Sequence, residues 1–352
     1  MKYILIFSLF CSIIYNAQRG KIKMKDDGSK NIVDFYMKAN ENKEKIVNNV
    51  TGHRSFSEAE LTVLSCLMVL AREAEMSKLE YLDKEMDYNE TIKIILIKSL
   101  GSSIDSLKNK EKYESIIRDY DNIEPYTYPA RVAYNSLSDN IYPFYNPVYP
   151  EEKFINQYLD LHDIIRQGHI YWGAKGERLE SILEHIYGCC ILALGIDSEY
   201  GYSIDFDKLI RMLLLHETGE ILIGDLTEWD VSKDRKKEIE RNAVIEVCSS
   251  LENGKEFISL FDEFNENETL VARYANLIDK LEYDMQVKAY ELEGRYDYDN
   301  IPSNVVTNSD SVKNIMMNGA QSVFDVHYEY DKDRYSSIPC TRRILEQTKK
   351  LS

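Results

Sequence analysis

Apolar residues recur at helical spacing along most of this chain. Leu209, Leu213 and Leu214 form one such apolar face, and their spacing predicts a helix there. Further amphipathic stretches run from residue 178 to 195 and from 269 to 293. Runs in which apolar and polar residues alternate, as in half-buried strands, are lacking elsewhere in the sequence. The pattern therefore predicts an all-α fold.

Prolines divide this helical pattern into parts. Pro125, Pro129, Pro143, Pro147 and Pro150 lie close together and are interleaved with tyrosines. Because proline lacks a backbone donor and ends regular helices, we expect a connecting segment there. The expected units are a helical domain at 24–121, a Pro/Tyr-rich connector at 122–151, a domain at 152–300 and a C-terminal helical extension at 301–352. Within the extension we expect a polar loop through residue 318, followed by one or two closing helices.

The first residues of the chain, 1–23, resemble a signal peptide. Their apolar run from Tyr3 to Tyr15 has the length of a signal-peptide core but is too short to span a bilayer comfortably. Back-translation of the residues just before Met24 allows a purine-rich ribosome-binding sequence at that point. We therefore expect this segment to be a mis-assigned start, with translation beginning at Met24.

Acid and imidazole groups set into apolar helical runs mark a candidate metal site in the second half. The candidates are His185, the pair His216 and Glu217, Glu220 with Asp225 behind it, and Asp279. His216 and Glu220 are four residues apart and would share one face of a helix, which Gly224 would end. Nitrogen and carboxylate ligands suit Mn, Co, Zn, Fe or Ni, and clustered carboxylates are costly without a cation. A hydrogen-bonded core histidine is the ordinary alternative for either imidazole.

These motifs resemble those of the HD-domain metal-dependent phosphohydrolases. More narrowly, they are similar to the branch that contains bacterial 5'-deoxynucleotidase and the eukaryotic HD domain-containing protein 2. The resemblance covers about 152–299 and depends on the segments 180–185, 213–227 and 277–293. It implies an HD-type helical bundle in which the metal ligands are His185, His216, Glu217 and Asp279. It further implies that Glu220 helps to activate the attacking water and that Asp225 is a second acidic residue of the site.

The substrate side of the site departs from the family pattern. Arg166 matches an arginine that the family places near the substrate phosphate, whereas His169 stands where the family has tryptophan and Trp172 follows three residues later. We expect all three residues to contact substrate. Glu217 stands where the family has aspartate, so its longer arm must fold back to reach the same ion.

The resemblance implies hydrolysis of a phosphate ester by a water that a divalent ion activates. Mn, Co, Zn, Fe, Ni and Mg are the candidate ions, and a nucleoside 5'-monophosphate, foremost a 2'-deoxy one, is the first candidate substrate. Two alternatives stay open: a nucleotide-sensing pseudoenzyme in which Glu217 has weakened the chemistry, and a phosphodiesterase that acts on a cyclic or other signalling nucleotide. A zinc peptidase is disfavoured because Glu220 replaces the second histidine of its motif.

Charge narrows the choice of partner. The chain has 43 basic and 60 acidic residues and a net charge of -17. Such a protein repels a long polyanion, because nucleic-acid backbones are bound by accumulated Lys and Arg. A small nucleotide is therefore the expected substrate, with no nucleic-acid polymer and no membrane as partner. Six scattered cysteines without metal-type spacing suit a reducing cytoplasm.

The first half has the pattern of a degenerate copy of the second. Matching positions lie 118 to 124 residues apart, and in this alignment Leu61 replaces His185 while Lys98 and Ser99 replace the pair at 216 and 217. The hypothesis is therefore two tandem HD-like halves, of which the first binds no metal. Because the resembling branch tends to form homodimers, we expect either a homodimer or a pseudo-dimer within one chain.

Overall fold

The computed structural model describes residues 28–48, 54–75, 87–122, 149–201, 203–227 and 230–352. Within these ranges the regular elements are helices, apart from one short antiparallel strand pair. The predicted all-α fold is confirmed. Residues 1–27 and most of the connector lie outside the described residues, so the expected start at Met24 and the expected connector stay predictions.

The helices of the first half contribute buried apolar side chains to the core. They are α1 (Ser29–Asn40), α2 (Glu58–Glu75), α3 (Tyr88–Leu100) and α4 (Lys110–Asn122). The strands are β1 (Ile46–Asn48) and β2 (Phe56–Ser57), and Ile46 pairs with Ser57. Short 3-10 turns follow α1 and α3, at Glu41–Lys43 and Gly101–Ser106.

The helices of the second half range from four to 23 residues and surround a central one. They are α5 (Pro150–Tyr158), α6 (Gln167–Tyr171), α7 (Ile182–Tyr200), α8 (Phe206–Leu215), α9 (Glu220–Ile223), α10 (Lys233–Cys248), α11 (Gly254–Glu266), α12 (Leu270–Leu292), α13 (Asp310–Met317), α14 (Val323–Asp331) and α15 (Pro339–Thr348). Further 3-10 turns lie at Leu159–His162, Tyr298–Asn300 and Arg334–Ser337.

Helix α7 is the centre of the molecule. It is buried on all sides, as expected for a helix whose apolar residues are not confined to one stripe. Helices α1 and α2 of the first half pack against it, and so do α8 and α12 of the second half. Both halves therefore contribute to one hydrophobic core. The predicted domain boundaries stay predictions, but the described parts of the two domains are not packed as separate bodies.

Two local expectations were wrong. The predicted helix through His216 and Glu220 ends at Leu215 and is followed by a turn, because the side chains of His216 and Thr218 bond to the carbonyls of Leu213 and Leu215. Such side-chain bonds compete with the helical backbone ladder. The segment expected to be a loop up to residue 318 contains helix α13, which Ser309 caps by accepting the Val312 N–H.

The entrances to α2 and α7 have the same local structure. In each, a serine and a glutamate three residues later bond reciprocally to each other's backbone N–H: Ser57 with Glu60, and Ser181 with Glu184. Each capping serine also pairs in antiparallel fashion with an isoleucine: Ser57 with Ile46, and Ser181 with Ile165. These repeated features agree with the duplication hypothesis, which stays a prediction.

Among the described residues, no helix combines the length and the apolar character that crossing a bilayer requires.

Candidate metal centre

His185 enters the site from the first turn of α7. Its imidazole is fully buried. The Nδ1 atom lies 2.5 Å from Glu282 Oε2, and the Nε2 atom lies 3.1 Å from Asp279 Oδ1. Because the Glu282 carboxylate holds the Nδ1 side of the ring, Nε2 is the atom that faces the site.

His216 enters from the turn after α8. Its Nδ1–H donates to the Leu213 carbonyl at 2.7 Å, so Nε2 carries the lone pair. The Nε2 atoms of His216 and His185 are 3.4 Å apart. Two ring nitrogens that face each other at this distance require a proton or a cation between them. His216 adopts this orientation in the turn directly after Leu215.

Two carboxylates complete the cluster. Glu217 Oε1 lies 3.5 Å from His185 Nε2 and 3.6 Å from His216 Nε2, so the longer side chain reaches the site. One ligand atom from each of His185, His216, Glu217 and Asp279 lies within 4.8 Å of the others. Two imidazoles and two carboxylates are a donor set that suits a divalent transition metal, and the residues fit such an ion. The structure thus brings together all four predicted ligands.

Positive side chains stabilise the ionised form of these acids. Arg166 Nη1 lies 2.9 Å from Glu217 Oε1, and Lys280 Nζ lies 2.9 Å from Asp279 Oδ2. Burial alone would raise the pKa of Glu217, but His216 and Arg166 outweigh it and lower the pKa to about 2. Burial likewise opposes ionisation of Asp279, yet Lys280 and the imidazoles hold its pKa well below the usual range. Both carboxylates are therefore ready to accept a cation.

Glu220 differs from these two acids. It opens the short helix α9 and is buried, and its Oε2 atom has no hydrogen-bond partner among the described residues. Burial first, and then the negative charges of Glu217 and Asp225, raise its pKa well above the usual range. A buried carboxyl group with a raised pKa beside a cluster of ligands suits proton transfer.

Asp225 and Arg166 are linked at the rim of the cluster. Gly224 ends α9 with a φ of 75°, a left-handed conformation that places Asp225 at the turn, as predicted. Asp225 Oδ2 accepts the backbone N–H of Gln167 at 2.7 Å. The Arg166 side chain lies 4.0 Å from Asp225 Oδ1 and is mostly buried rather than exposed at a helix end.

A cavity of about 930 Å³ opens onto this cluster. His216, Glu217, Glu220, Asp225 and Asp279 line it on one side. Helix α14 and the turn after it form another wall, where His327, Tyr330 and Arg334 are exposed to the cavity. Its basic lining residues are Arg166, Lys236, Lys237, Arg273, Lys280 and Arg334. Seven acidic residues also line the pocket: Glu217, Glu220, Asp225, Glu240, Glu266, Asp279 and Asp331. Basic and acidic side chains are therefore nearly balanced around it.

The two aromatic candidates for substrate contact occupy different places. Trp172 lines the cavity and packs on the His327 ring, with centroids 5.2 Å apart. His169 is fully buried, and its two ring nitrogens bond to Glu180 at 3.0 Å and to the Tyr296 hydroxyl at 2.9 Å. The geometry suits Trp172 as a pocket wall, whereas His169 supports the wall from behind. Their roles toward a substrate stay predictions.

Sequence reasoning missed the groups behind the ligands. Glu282 lies three residues after Asp279 on α12, a spacing that placed both acids on one helical face. Lys43 and Tyr36, which bond to Glu282, come from the first half and carry no sequence signal for this site. A second group of potential ligand atoms, from Asp284, His327 and Asp331, lies near the α14 wall and was also missed.

Comparisons with known proteins find several similar sequences and structures. Residues 160–319 match a family model described as HD domain. The chain is 37% identical over 131 residues to 5'-deoxynucleotidase HDDC2 of Dictyostelium discoideum, across 35% of this chain and 68% of that protein. It is 30% identical over 150 residues to 5'-deoxynucleotidase YBR242W of Saccharomyces cerevisiae, across 41% of this chain and 60% of that protein. Among solved structures, a predicted metal-dependent phosphohydrolase from Magnetospirillum magnetotacticum MS-1 overlaps 56% of this chain and 93% of its own, with 20% identity and a TM-score of 0.40.

Proposed function

The chain belongs to the HD domain family, and from this we propose that it is a metal-dependent phosphohydrolase that removes phosphate from a small nucleotide. The first candidate substrate is a nucleoside 5'-monophosphate, foremost the 2'-deoxy form, since the relatives from Dictyostelium and Saccharomyces are 5'-deoxynucleotidases. One observation carries the proposal: the Nε2 atoms of His185 and His216 converge with oxygens of Glu217 and Asp279.

In this proposal, His185, His216, Glu217 and Asp279 hold a divalent cation. When bound, such a cation supplies a water that is acidified toward neutral pH, and it offsets charge on the phosphoryl oxygens. The two imidazoles are held in the required tautomer by Glu282 and by the Leu213 carbonyl. Candidate ions are Mn, Co, Zn, Fe, Ni and Mg, among which the imidazoles favour the transition metals.

Glu220 is the proposed proton acceptor. Its buried Oε2 atom is unpaired among the described residues, and the cavity reaches the side chain. A nearby cation would lower the raised pKa of this carboxyl group, which would then take a proton from the attacking water. Asp225 is the proposed second acid, which fixes the water or assists at the leaving oxygen.

Arg166 is the proposed phosphate-binding residue. Its guanidinium now bonds to Glu217 and lies 3.7 Å from Asp279 Oδ1. When a cation compensates these carboxylates, the same guanidinium is available to a phosphate through two parallel N–H donors. The cavity volume of about 930 Å³ suits a ligand of the size of a nucleotide.

The sensing alternative would need Glu217 to miss the site. Glu217 Oε1 instead lies within 3.6 Å of both imidazoles, so replacement of aspartate by glutamate leaves a competent set of donors. A cytoplasmic location is part of the proposal, because the cysteines of the described residues are free thiols. The association state, a homodimer or a pseudo-dimer within one chain, stays a prediction.

Phosphate release from a panel of nucleotides, with Mn²⁺ or Co²⁺ added, tests the function. We expect turnover of nucleoside 5'-monophosphates and about a 100- to 10,000-fold loss in the Glu220→Gln variant, as for removal of a general base. Glu220→Gln should retain bound metal by elemental analysis. Saturable nucleotide binding without phosphate release from any member of the panel would contradict the proposal.

A further inference from the structure

A chain of buried hydrogen bonds joins the first half of the protein to the candidate metal centre. Lys43 Nζ lies 2.7 Å from Glu282 Oε1, and the Tyr36 hydroxyl donates to the same oxygen at 2.6 Å. The other oxygen of Glu282 accepts the His185 Nδ1–H at 2.5 Å. One oxygen of the Glu282 carboxylate thus bonds to side chains of the first half, and the other oxygen bonds to the His185 imidazole.

The side chains that form these hydrogen bonds are shielded from solvent. The Lys43 side chain is 4% exposed, and those of Glu180 and Glu282 are not exposed at all. Lys43 also bonds to Glu180 Oε1 at 2.6 Å and to Gln286 Oε1 at 3.0 Å. A buried charge is tolerated only when its partners are in place, and removal of Lys43 takes the cation away from Glu180 and Glu282, two buried acids behind the site.

Helix α7 leaves room for the Glu282 carboxylate. Gly188 lies one turn after His185, and a Cβ atom at this glycine would come within 2.0 Å of Glu282 Oε1. Any side chain there would displace the carboxylate. The position of Glu282 is therefore determined by the packing of α7 and α12 as well as by its hydrogen bonds.

The two halves are held together beside this point by reciprocal ion pairs. Arg54, three residues before Ser57, bonds to Glu184 at 2.8 Å. Arg178, three residues before Ser181, bonds to Glu60 at 2.9 Å. Contacts that are exchanged between matching positions are the pattern of a two-fold interface. They join the start of α2 to the start of α7.

We infer that the first half of the chain positions the metal centre, with Lys43 and Tyr36 holding Glu282 so that Glu282 orients His185 toward the ion. The inference rests on the proposed function for the identity of the site and adds positioning residues from outside the segment that matches the family. A carboxylate behind a ligating imidazole sets its tautomer and increases its basicity, and loss of such a partner costs about 10- to 100-fold in metal affinity.

Cobalt binding by the full-length protein tests the inference without any turnover. Affinity for Co²⁺ is measured by competition with a chelating indicator, and the visible absorption of bound Co²⁺ reports ligand geometry. We expect Lys43→Met to weaken binding about 10- to 100-fold and to change the spectrum. Tyr36→Phe, which removes one hydroxyl and little else, should show a smaller loss in the same direction.

The matched control is Arg54→Met. It removes a partly buried ion pair from the same interface between the halves, but the partner of Arg54 in that pair is Glu184 rather than Glu282 or His185. We expect it to lower the free energy of unfolding of the metal-free protein while leaving Co²⁺ affinity and spectrum unchanged. An equal loss of affinity in Arg54→Met and Lys43→Met would overturn the inference, because general loosening would then explain both.

A double-mutant cycle with Glu282→Gln separates positioning from packing. If Lys43 acts through Glu282, the double variant should bind Co²⁺ no more weakly than the weaker of the two single variants. Additive losses would overturn the inference, and so would wild-type affinity and spectrum in a folded Lys43→Met. If Lys43→Met does not fold, Tyr36→Phe decides in the same way. A protein that binds Co²⁺ at this site but releases no phosphate would refute the function and leave this inference standing.

Discussion

Helices α2 and α7 begin alike but carry different side chains in their first turns. Each is entered through a serine and glutamate capping pair, at 57 and 60 in one and at 181 and 184 in the other. The next residue is Leu61 in α2 and His185 in α7, and both side chains are buried. The same helical frame therefore carries a core leucine in one half and an imidazole of the candidate metal cluster in the other. Exchange of a few side chains is enough to distinguish a structural helix from one that contributes to the candidate site.

The helices that follow these two along the chain, α3 and α8, show the same contrast. Lys98 of α3 is exposed to solvent, whereas His216, its counterpart at the end of α8, is buried and faces His185. The first half contributes instead through Lys43 and Tyr36, behind the ligands rather than among them. The second half supplies the candidate ligands, and the first half supplies side chains that pack and bond behind them.

The largest expected effect on metal content and phosphate release comes from replacing His216. His216→Ala removes one ligand, and we expect loss of bound metal together with about a 1,000-fold or greater fall in phosphate release, since a catalytic ion contributes several kcal/mol. Lys98→Ala at the matching position of the first half should leave metal content and turnover unchanged. Elemental analysis and phosphate release measure both. A metal-free yet fully active His216→Ala would refute the site.

The next prediction concerns how the stability of the protein depends on pH. All histidines of the described residues lie in the second half, so any loss of stability in acid that comes from a buried imidazole arises there. Burial lowers the pKa of His327 from about 6.5 to about 3. The unfolded chain thus binds a proton that the folded one does not, so stability is present above about pH 6.5 and falls as the pH drops toward 3. This residue accounts for a loss of about 4 kcal/mol.

Urea unfolding at several pH values checks that expectation. In His327→Gln the decline in the free energy of unfolding between neutral and acidic pH should be shallower than in the unmodified protein. An NMR titration that finds the His327 imidazole protonating near its ordinary pKa would contradict it.

The smallest expected effects compare the two helix caps directly. Ser57→Ala should cost about 0.5–2 kcal/mol in the free energy of unfolding, because it removes a cap. Ser181→Ala should cost about 1–3 kcal/mol more, since the Ser181 hydroxyl also donates to Glu60 Oε1 at 2.5 Å. Chemical denaturation of the metal-free protein measures both changes. Equal losses would show that the contact between the caps contributes nothing.

The candidate ligands could be predicted from their local spacing and from the resemblance to the family pattern. His185, His216, Glu217 and Asp279 were all predicted, and their ligand atoms meet. The helix through 216 was predicted too long, because periodicity does not register side chains that bond to nearby carbonyls. Helix α13 was missed for a related reason, as its cap at Ser309 is a single polar contact within a polar stretch.

The amino-acid order alone determined the helical class, the entrances to the main helices and the types of ligand, because these depend on periodicity, capping residues and donor chemistry within short segments. Only the tertiary structure decided that Lys43 and Tyr36 would stand behind His185, more than a hundred residues away. A side chain carries no mark of a distant partner, since that contact is created when α1, α7 and α12 pack together and exclude water. This packing brings the candidate ligands together in one buried cluster with defined side-chain orientations.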